Sequence, residues 1–239
     1  MKALILAGGR GRRLDDLSTQ KNKCMIPIHG RAAIEYSLQY LENTDIHEVV
    51  IVVGYRAEEI INTYGSRYGD KKLTYVIQWE QRGLVHAMEC ARESIGKDDF
   101  LLMLGDEILV HPRHKSMMEE FKKGKVFALC GVLEVDDPAS IKRTYTLISD
   151  GDGIIHRLVE KPRTPLNKIM GTGQCVFRNG IFAYIEVTPI HHERKEKELP
   201  DLIQCAIDDG KVVKSFQICD EYTNINTSED IEIAEGFFK

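Results

Sequence analysis

The stretch Leu6-Ala7-Gly8-Gly9-Arg10-Gly11-Arg12-Arg13-Leu14 directly follows the apolar run Ala3-Leu4-Ile5 near the start of the chain. The glycines, Gly8, Gly9 and Gly11, let the backbone bend tightly and bring its N–H groups close to an anion. The arginines among them, Arg10, Arg12 and Arg13, can neutralise phosphate charge. A strand feeding such a loop describes a nucleotide-phosphate site. The commonest phosphate loops do not fit. A Walker A loop ends in Gly-Lys-Ser/Thr, whereas Gly11 precedes Arg12 and Arg13. A dinucleotide loop needs a third glycine opening a helix and an acidic residue after the second strand, where this chain has Val53-Gly54-Tyr55-Arg56. A basic turn that only connects two elements would read the same way by itself.

Further residues with chemical potential lie downstream. Gly105-Asp106 leaves the apolar run Phe100-Leu101-Leu102-Met103-Leu104. In an open parallel sheet, ligands gather at the carboxyl ends of strands, so Asp106 is placed to face the same crevice as the glycine loop. A carboxylate beside a triphosphate commonly holds Mg2+, whose hard-oxygen preference the phosphates help to satisfy. A Gly-Asp pair alone is also an ordinary turn cap. Lys23, in Asn22-Lys23-Cys24-Met25-Ile26-Pro27, and the pair Glu160-Lys161 could engage phosphate and ligand hydroxyls, yet each is individually an unremarkable charged residue.

The elements that must position these residues follow from periodicity. Apolar or β-branched runs predict strands at 2–6, 48–53, 73–77 and 100–104, alternating with helical patterns at 31–42, 56–64, 83–94 and 114–123. That alternation implies α/β architecture: a Rossmann-like mixed, mostly parallel sheet flanked by helices. Val49-Val50-Ile51-Val52-Val53 is apolar throughout, as suits a strand buried on both faces. The second half predicts strands at 126–134, 144–149, 153–159, 174–178 and 212–217, and helices at 179–185, 199–208 and 228–238. With 239 residues and no evident linker, the chain reads as a single domain over 1–239, with a nucleotide-binding half near 1–110 and an acceptor-binding half near 111–239. A net charge of −5 argues against a nucleic-acid partner. No apolar stretch is long enough to span a membrane. The six cysteines form no Cys-x-x-Cys pair, and several sit in apolar runs, which points to a reduced, cytoplasmic protein. The charged segment His191–Lys197 reads as a solvated loop, and its paired histidines have no third metal ligand nearby.

Taken together, these segments resemble the sugar-1-phosphate nucleotidyltransferase family, and the resemblance covers nearly the whole chain. Leu6 to Leu14 matches the family loop Leu-Ala-Gly-Gly-x-Gly-x-Arg-Leu, and Lys23 to Pro27 matches Lys-x-Met/Leu-x-Pro. Gln78 to Ala87 resembles the base-reading turn and helix, and Leu104-Gly105-Asp106 the metal aspartate. Glu160-Lys161-Pro162, Thr172-Gly173 and Glu198-Leu199-Pro200-Asp201 resemble the sugar and sugar-phosphate segments. Asn224 to Asp230 resembles Asp-x-Gly/Asn-Thr-Pro-Glu-Asp. The glucose-1-phosphate thymidylyl/uridylyltransferases are the most similar group, in a short form without a β-helix.

The resemblance implies that a sugar-1-phosphate oxygen attacks the α-phosphorus of an NTP, giving an NDP-sugar and pyrophosphate. It implies Mg2+, held by Asp106 and Asn224. It places Arg13 and Lys23 in catalysis. It places Leu6, Ala7, Gly8, Gly9, Gly11, Gln78 and Gly83 on the nucleotide, with Gln78 able to present either a donor or an acceptor to the base. Glu160, Lys161, Gly173 and Glu198 are implied for the acceptor. The chain departs from the family in carrying Asn224 for a metal aspartate, Thr146 for a sugar-contacting glycine after Tyr145, and Asn22 for a proline. The Lys-Cys-Met form also resembles short cytidylyltransferases, so a CTP-dependent enzyme acting on a non-sugar phosphomonoester or phosphonate is the alternative. An inactive nucleotide-binding regulatory subunit is the alternative of another class. A homo-oligomer is compatible with the sequence, which does not specify one.

Overall fold

The structure, a computed structural model, describes residues 1–11, 14 and 21–238. The strand β1 (Lys2–Ala7) pairs in parallel with β4 (Glu48–Val53) on one side and β7 (Phe100–Leu104) on the other. β4 pairs in parallel with β6 (Lys71–Ile77), whose outer edge carries the short β5 (Arg67–Tyr68). The chain therefore moves outward from β1 through β4 to β6, then returns to the far side of β1 as β7. That reversal creates a crevice at the carboxyl ends of β1 and β7. Gly8 leaves one of these ends and Asp106 the other.

Beyond β7 the sheet becomes mixed. The long strand β12 (Ile169–Phe177) runs antiparallel to β7, to β9 (Ala128–Glu134) and to β10 (Tyr145–Ser149). β10 forms an antiparallel hairpin with β11 (Ile155–Glu160), and β13 (Val213–Gln217) adds in parallel to β9. A separate antiparallel pair joins β8 (Glu107–Val110), which begins directly after Asp106, to β14 (Glu221–Asn224).

Alternation of side chains divides the interior into two layers, one on each face of the sheet. Leu4, Leu6, Val50, Val52, Phe100 and Leu102 face α3 (Leu84–Ile95) and α5 (Leu199–Asp208). Ala3, Ile5, Val49, Ile51, Leu101 and Met103 face α1 (Ala33–Gln39), α2 (Ala57–Tyr64) and α4 (His114–Lys123). The final helix, α6 (Ser228–Gly236), packs Ala234 into a smaller cluster with Ile26, Ile28, Ile108 and Ile225. Among the described residues, no helix is long and apolar enough to cross a membrane.

The expected elements are present with local corrections. The helix expected over 31–42 begins at Ala33, because Arg31–Ala32 (β3) pairs with Pro27–Ile28 (β2) across a turn in which His29 and Gly30 both have positive φ. Residues 179–185 form a 3-10 turn at Asn179–Tyr184 rather than an α-helix. The strand expected at 174–178 starts at Ile169.

Candidate active site

The glycine loop is shaped by close backbone approach. A β-carbon on Gly54 would fall 2.8 Å from the Gly8 carbonyl oxygen, and one on Gly8 would lie 3.0 Å from Gln78 Oε1. The Gly8 carbonyl accepts from Gln81 Nε2 at 2.9 Å and from Tyr55 N at 3.3 Å. These bonds join the ends of β1 and β4 to the segment after β6. Arg10 lies over the Tyr55 ring, with its guanidinium carbon 5.0 Å from the centroid.

Next to this turn is a cavity of about 310 Å3, lined by Gly8, Gly9, Gln78, Gly83, Asp106 and Glu196 among others. Gln78 is buried there, and its Nε2 lies 3.1 Å from the Gly83 carbonyl oxygen. A carbonyl can only accept, so the amide nitrogen must face Gly83. This leaves Oε1 as the group on the Gly8 side. His86 Nδ1, 3.0 Å from the same nitrogen, adds to the fixing of the amide. Burial and the Arg82 guanidinium hold His86 below its ordinary pKa. Gly83 has φ of +89°, and a β-carbon there would meet Glu196 Oε2 at 2.5 Å. Both the backbone and the neighbouring side chain therefore require glycine.

A second cavity of about 350 Å3 shares Leu6, Gly9 and Asp106 with the first and adds Gly11, Lys23, Cys24 and Asn226. Gly11 takes a positive φ of +62°. Lys23, 8% exposed, places its ammonium against the Asp106 carboxylate, 2.9 Å from Asn226 Oδ1 and 3.4 Å from Asn224 Oδ1. Asn226 Nδ2 donates to Asn224 Oδ1 at 2.9 Å, which turns its own oxygen toward Lys23. Three side-chain oxygens thus converge on one positive charge. The lysine itself is held from behind by Asn22, the residue standing in the family's proline position. Asn22 Oδ1 accepts from Cys24 N at 2.8 Å, and its Nδ2 donates to Tyr55 O at 2.6 Å and Ala7 O at 3.3 Å. Burial pushes the Cys24 thiol well up, so it serves as a neutral packing group.

The candidate acceptor residues lie at the end of β11, within β12 and at the start of α5. Lys161 has φ of +42° and salt-bridges Glu160 Oε1 at 3.0 Å. Burial raises Glu160 to about 7, with Lys161 pulling it down and Glu198 pushing it up. Glu198 is buried and paired with Arg194. Gly173 has no room for a side chain, since a β-carbon would lie 2.3 Å from Leu104 Cγ, and its N–H donates to Glu107 Oε1 at 2.8 Å. The replacement at Thr146 has a different consequence from the one the family pattern implies. Thr146 pairs with Val159 and Tyr145 with Glu160, so Tyr145 shares a face with the Glu160 carboxylate and Thr146 lies on the other. Thr146 Oγ1 lies in a buried site 2.8 Å from both Asn167 Oδ1 and the Ile169 carbonyl, between which its single proton is shared.

The loop at 191–197 is more than a solvated connection. Arg194 and Glu196 turn inward, and Arg194 Nη2 is buried without a hydrogen-bond partner. Sequence reasoning missed this arginine because it sits in a run of charges; its spacing of four from Glu198 was the available signal. His191 Nδ1 accepts from Glu193 N and Arg194 N at 3.3 Å and shapes the loop. Among the described residues, no group of three or more His, Cys, Asp or Glu is arranged to hold a metal. Arg12 and Arg13 lie outside the described residues.

A glycine turn, a buried lysine and an aspartate at the switch point of a parallel sheet define an α/β enzyme built to handle nucleotide phosphates. The chain belongs to the nucleotidyl transferase family, whose model matches residues 2–224. It is 31% identical, over 97% of its length, to the low-salt glycan biosynthesis nucleotidyltransferase Agl11 of Haloferax volcanii, and spans 64% of that relative. It is likewise 31% identical, over 98% of its length, to the UTP–glucose-1-phosphate uridylyltransferase AglF of the same organism, and spans 95% of it. A Bacillus anthracis structure described as a glucose-1-phosphate thymidylyltransferase in complex with sucrose superposes with a TM-score of 0.88 at 26% identity, covering 99% of this chain and 94% of the other.

Proposed function

We propose that the chain transfers a nucleotidyl group from a pyrimidine NTP to a sugar-1-phosphate, releasing pyrophosphate and forming an NDP-sugar. A phosphate oxygen of the acceptor attacks the α-phosphorus. The bond from that phosphorus to the bridging oxygen breaks, and pyrophosphate carries the electron pair away. The observation that carries this reading is the position of Lys23, buried where the nucleotide cavity meets Asp106 and Asn226. Two anions must be brought together here, so the main work is alignment and charge stabilisation rather than covalent chemistry.

Lys23 serves as the cation at the α-phosphate once it turns from Asp106. Gly8, Gly9 and Gly11 offer backbone N–H groups to the triphosphate, with Leu6 and Ala7 supporting the turn. Arg13 completes the triphosphate contacts in this reading. Gln78 presents Oε1, an acceptor, which suits the imide N–H of uracil or thymine and not the bare N3 of cytosine. Lys161 and Arg194, whose Nη2 has no hydrogen-bond partner while its Nε holds Glu198, meet the acceptor phosphate, and Glu160 and Glu198 its hydroxyls. The donor set at Asp106, Asn224 and Asn226 is all oxygen and already surrounds a positive charge, so it fits Mg2+, with substrate phosphates as the remaining ligands. When bound there, Mg2+ would neutralise phosphate charge. All six cysteines are free, which suits a reducing compartment such as the cytoplasm.

A CTP-dependent enzyme acting on a non-sugar phosphomonoester or phosphonate is the second reading, favoured by the Lys23-Cys24-Met25 form. A pyrophosphate-release screen of four NTPs against hexose-1-phosphates and small phosphomonoesters or phosphonates tests both. Release with UTP or dTTP and a hexose-1-phosphate is expected. Release only with CTP and a non-sugar acceptor selects the alternative, and nucleotide binding without release with any acceptor removes the enzymatic reading.

A further inference from the structure

Glu107 immediately follows Asp106, yet the reaction described above gives it no task. Its side chain is 1% exposed. Oε1 accepts from Gly173 N at 2.8 Å and from the Tyr222 hydroxyl at 2.7 Å, and Oε2 accepts from Gln174 Nε2 at 2.5 Å. Gln174 extends this network by accepting at Oε1 from His114 Nε2 at 2.9 Å. The His114 ring in turn stacks on Tyr40, with centroids 5.2 Å apart. These partners come from β12, β14 and α4, which are remote in sequence. Glu107 also stands directly opposite Asn224 in the β8–β14 register, and Ile225 N donates to the Asp106 carbonyl at 2.9 Å. The backbones of Asp106 and Asn224 are thus separated by a single strand pairing whose side-chain anchor is Glu107.

Although burial pushes Glu107 up to about 7, the hydrogen bonds from Tyr222, Gln174 and Gly173 pull it back toward the carboxylate. Gly173 N and Gln174 Nε2 can only donate, so each carboxyl oxygen must accept. A carboxylate does so, and a carboxamide of the same shape does not. An apolar residue would be cheaper to bury but would leave the Gly173 N–H, the Tyr222 hydroxyl and Gln174 Nε2 unpaired.

We propose that Glu107 is a positioning residue: by binding β12 and β14 at once, it fixes the spacing between Asp106 and Asn224 and thereby the cation-holding edge of the site. This inference rests on the reading of Asp106 and Asn224 as that edge. Glu107→Gln places an NH2 against a donor and breaks the convergence. Glu107→Gln combined with Gln174→Glu rebuilds it, because the new amide donates to the new carboxylate, which still accepts from His114. Tyr222→Phe removes one anchor while keeping the ring in place.

The test measures binding of Mn2+·UTP to the full chain by water-proton relaxation, alongside kcat and thermal midpoint. Expected are about 10-fold weaker binding and a comparable fall in kcat for Glu107→Gln, a smaller loss for Tyr222→Phe, and recovery in the double variant, following the usual effect of disturbing residues behind a metal ligand. Unchanged binding in a folded Glu107→Gln or in Tyr222→Phe, with only the melting midpoint lowered, overturns the inference. So does a folded double variant that fails to recover. Absence of relaxation enhancement with the parent protein, or enhancement indifferent to Asp106→Asn, removes instead the cation reading beneath it.

Discussion

At the scale of single residues, Lys23 carries the sharpest expectation. Lys23→Met keeps the buried stem but removes the ammonium, so the α-phosphate loses its nearest charge. A fall in kcat of about 10²- to 10³-fold is expected from pyrophosphate release, the size seen when one charge-stabilising donor is lost. Circular dichroism should show an intact fold. Glu160 gives a pH signature. Its folded pKa of about 7 lies above its ordinary 4.5, so the stability it contributes is complete below pH 4.5 and is lost as pH rises through 7. Glu160→Gln should therefore gain stability relative to the parent between pH 5 and pH 8, by on the order of 2 kcal/mol. Urea denaturation at the two pH values measures it, and a gain independent of pH would contradict the assignment. Lys23, Asp106, Gln78 and Glu160 were visible in the sequence because each follows a recognisable strand end or motif. Arg194 was hidden because a charge run looks alike whether its side chains point inward or outward.

At the scale of elements, the turn before α3 and the cap of α6 hold the two ends of the site. Gly83→Ala forces a side chain into φ of +89° and against Glu196. It should raise KM for the nucleotide and lower stability by about 1–3 kcal/mol, read by steady-state kinetics and denaturant titration. The α6 cap joins Thr227 and Asp230 reciprocally, and Asp230 Oδ2 also accepts from Asn226 N at 2.9 Å. Asp230→Ala should cost about 1–2 kcal/mol through the lost cap and free the segment bearing Asn224 and Asn226. Faster amide exchange at 224–228 would report that release. The long apolar strands and amphipathic helices were legible from periodicity. β8 and β14 were not, since each is four residues long, carries a glutamate and is defined only by pairing with the other.

At the scale of the whole molecule, one sheet runs unbroken from the N-terminal half through β7 and β12 into the C-terminal half. Phe100, Leu102, Cys175 and Phe177 belong to the same buried layer, so the halves share a core. Unfolding followed by near-ultraviolet circular dichroism of the buried Tyr36 and Tyr145 and by far-ultraviolet circular dichroism should give coincident transitions. Two separated transitions would show that the halves are independent domains. The architecture was readable from alternating elements, but the branching of β12 toward both β9 and β10 was not, because strand order depends on distant pairings. The anchored amide of Gln78 has its own consequence for the intact enzyme. If Gln78 reads the base as proposed, its oxygen is aimed before any nucleotide arrives, so discrimination among nucleobases needs no rearrangement. On that reading a mismatched triphosphate would be turned away while docking, and selectivity would show as a difference in residence time rather than as slow turnover of a captured impostor.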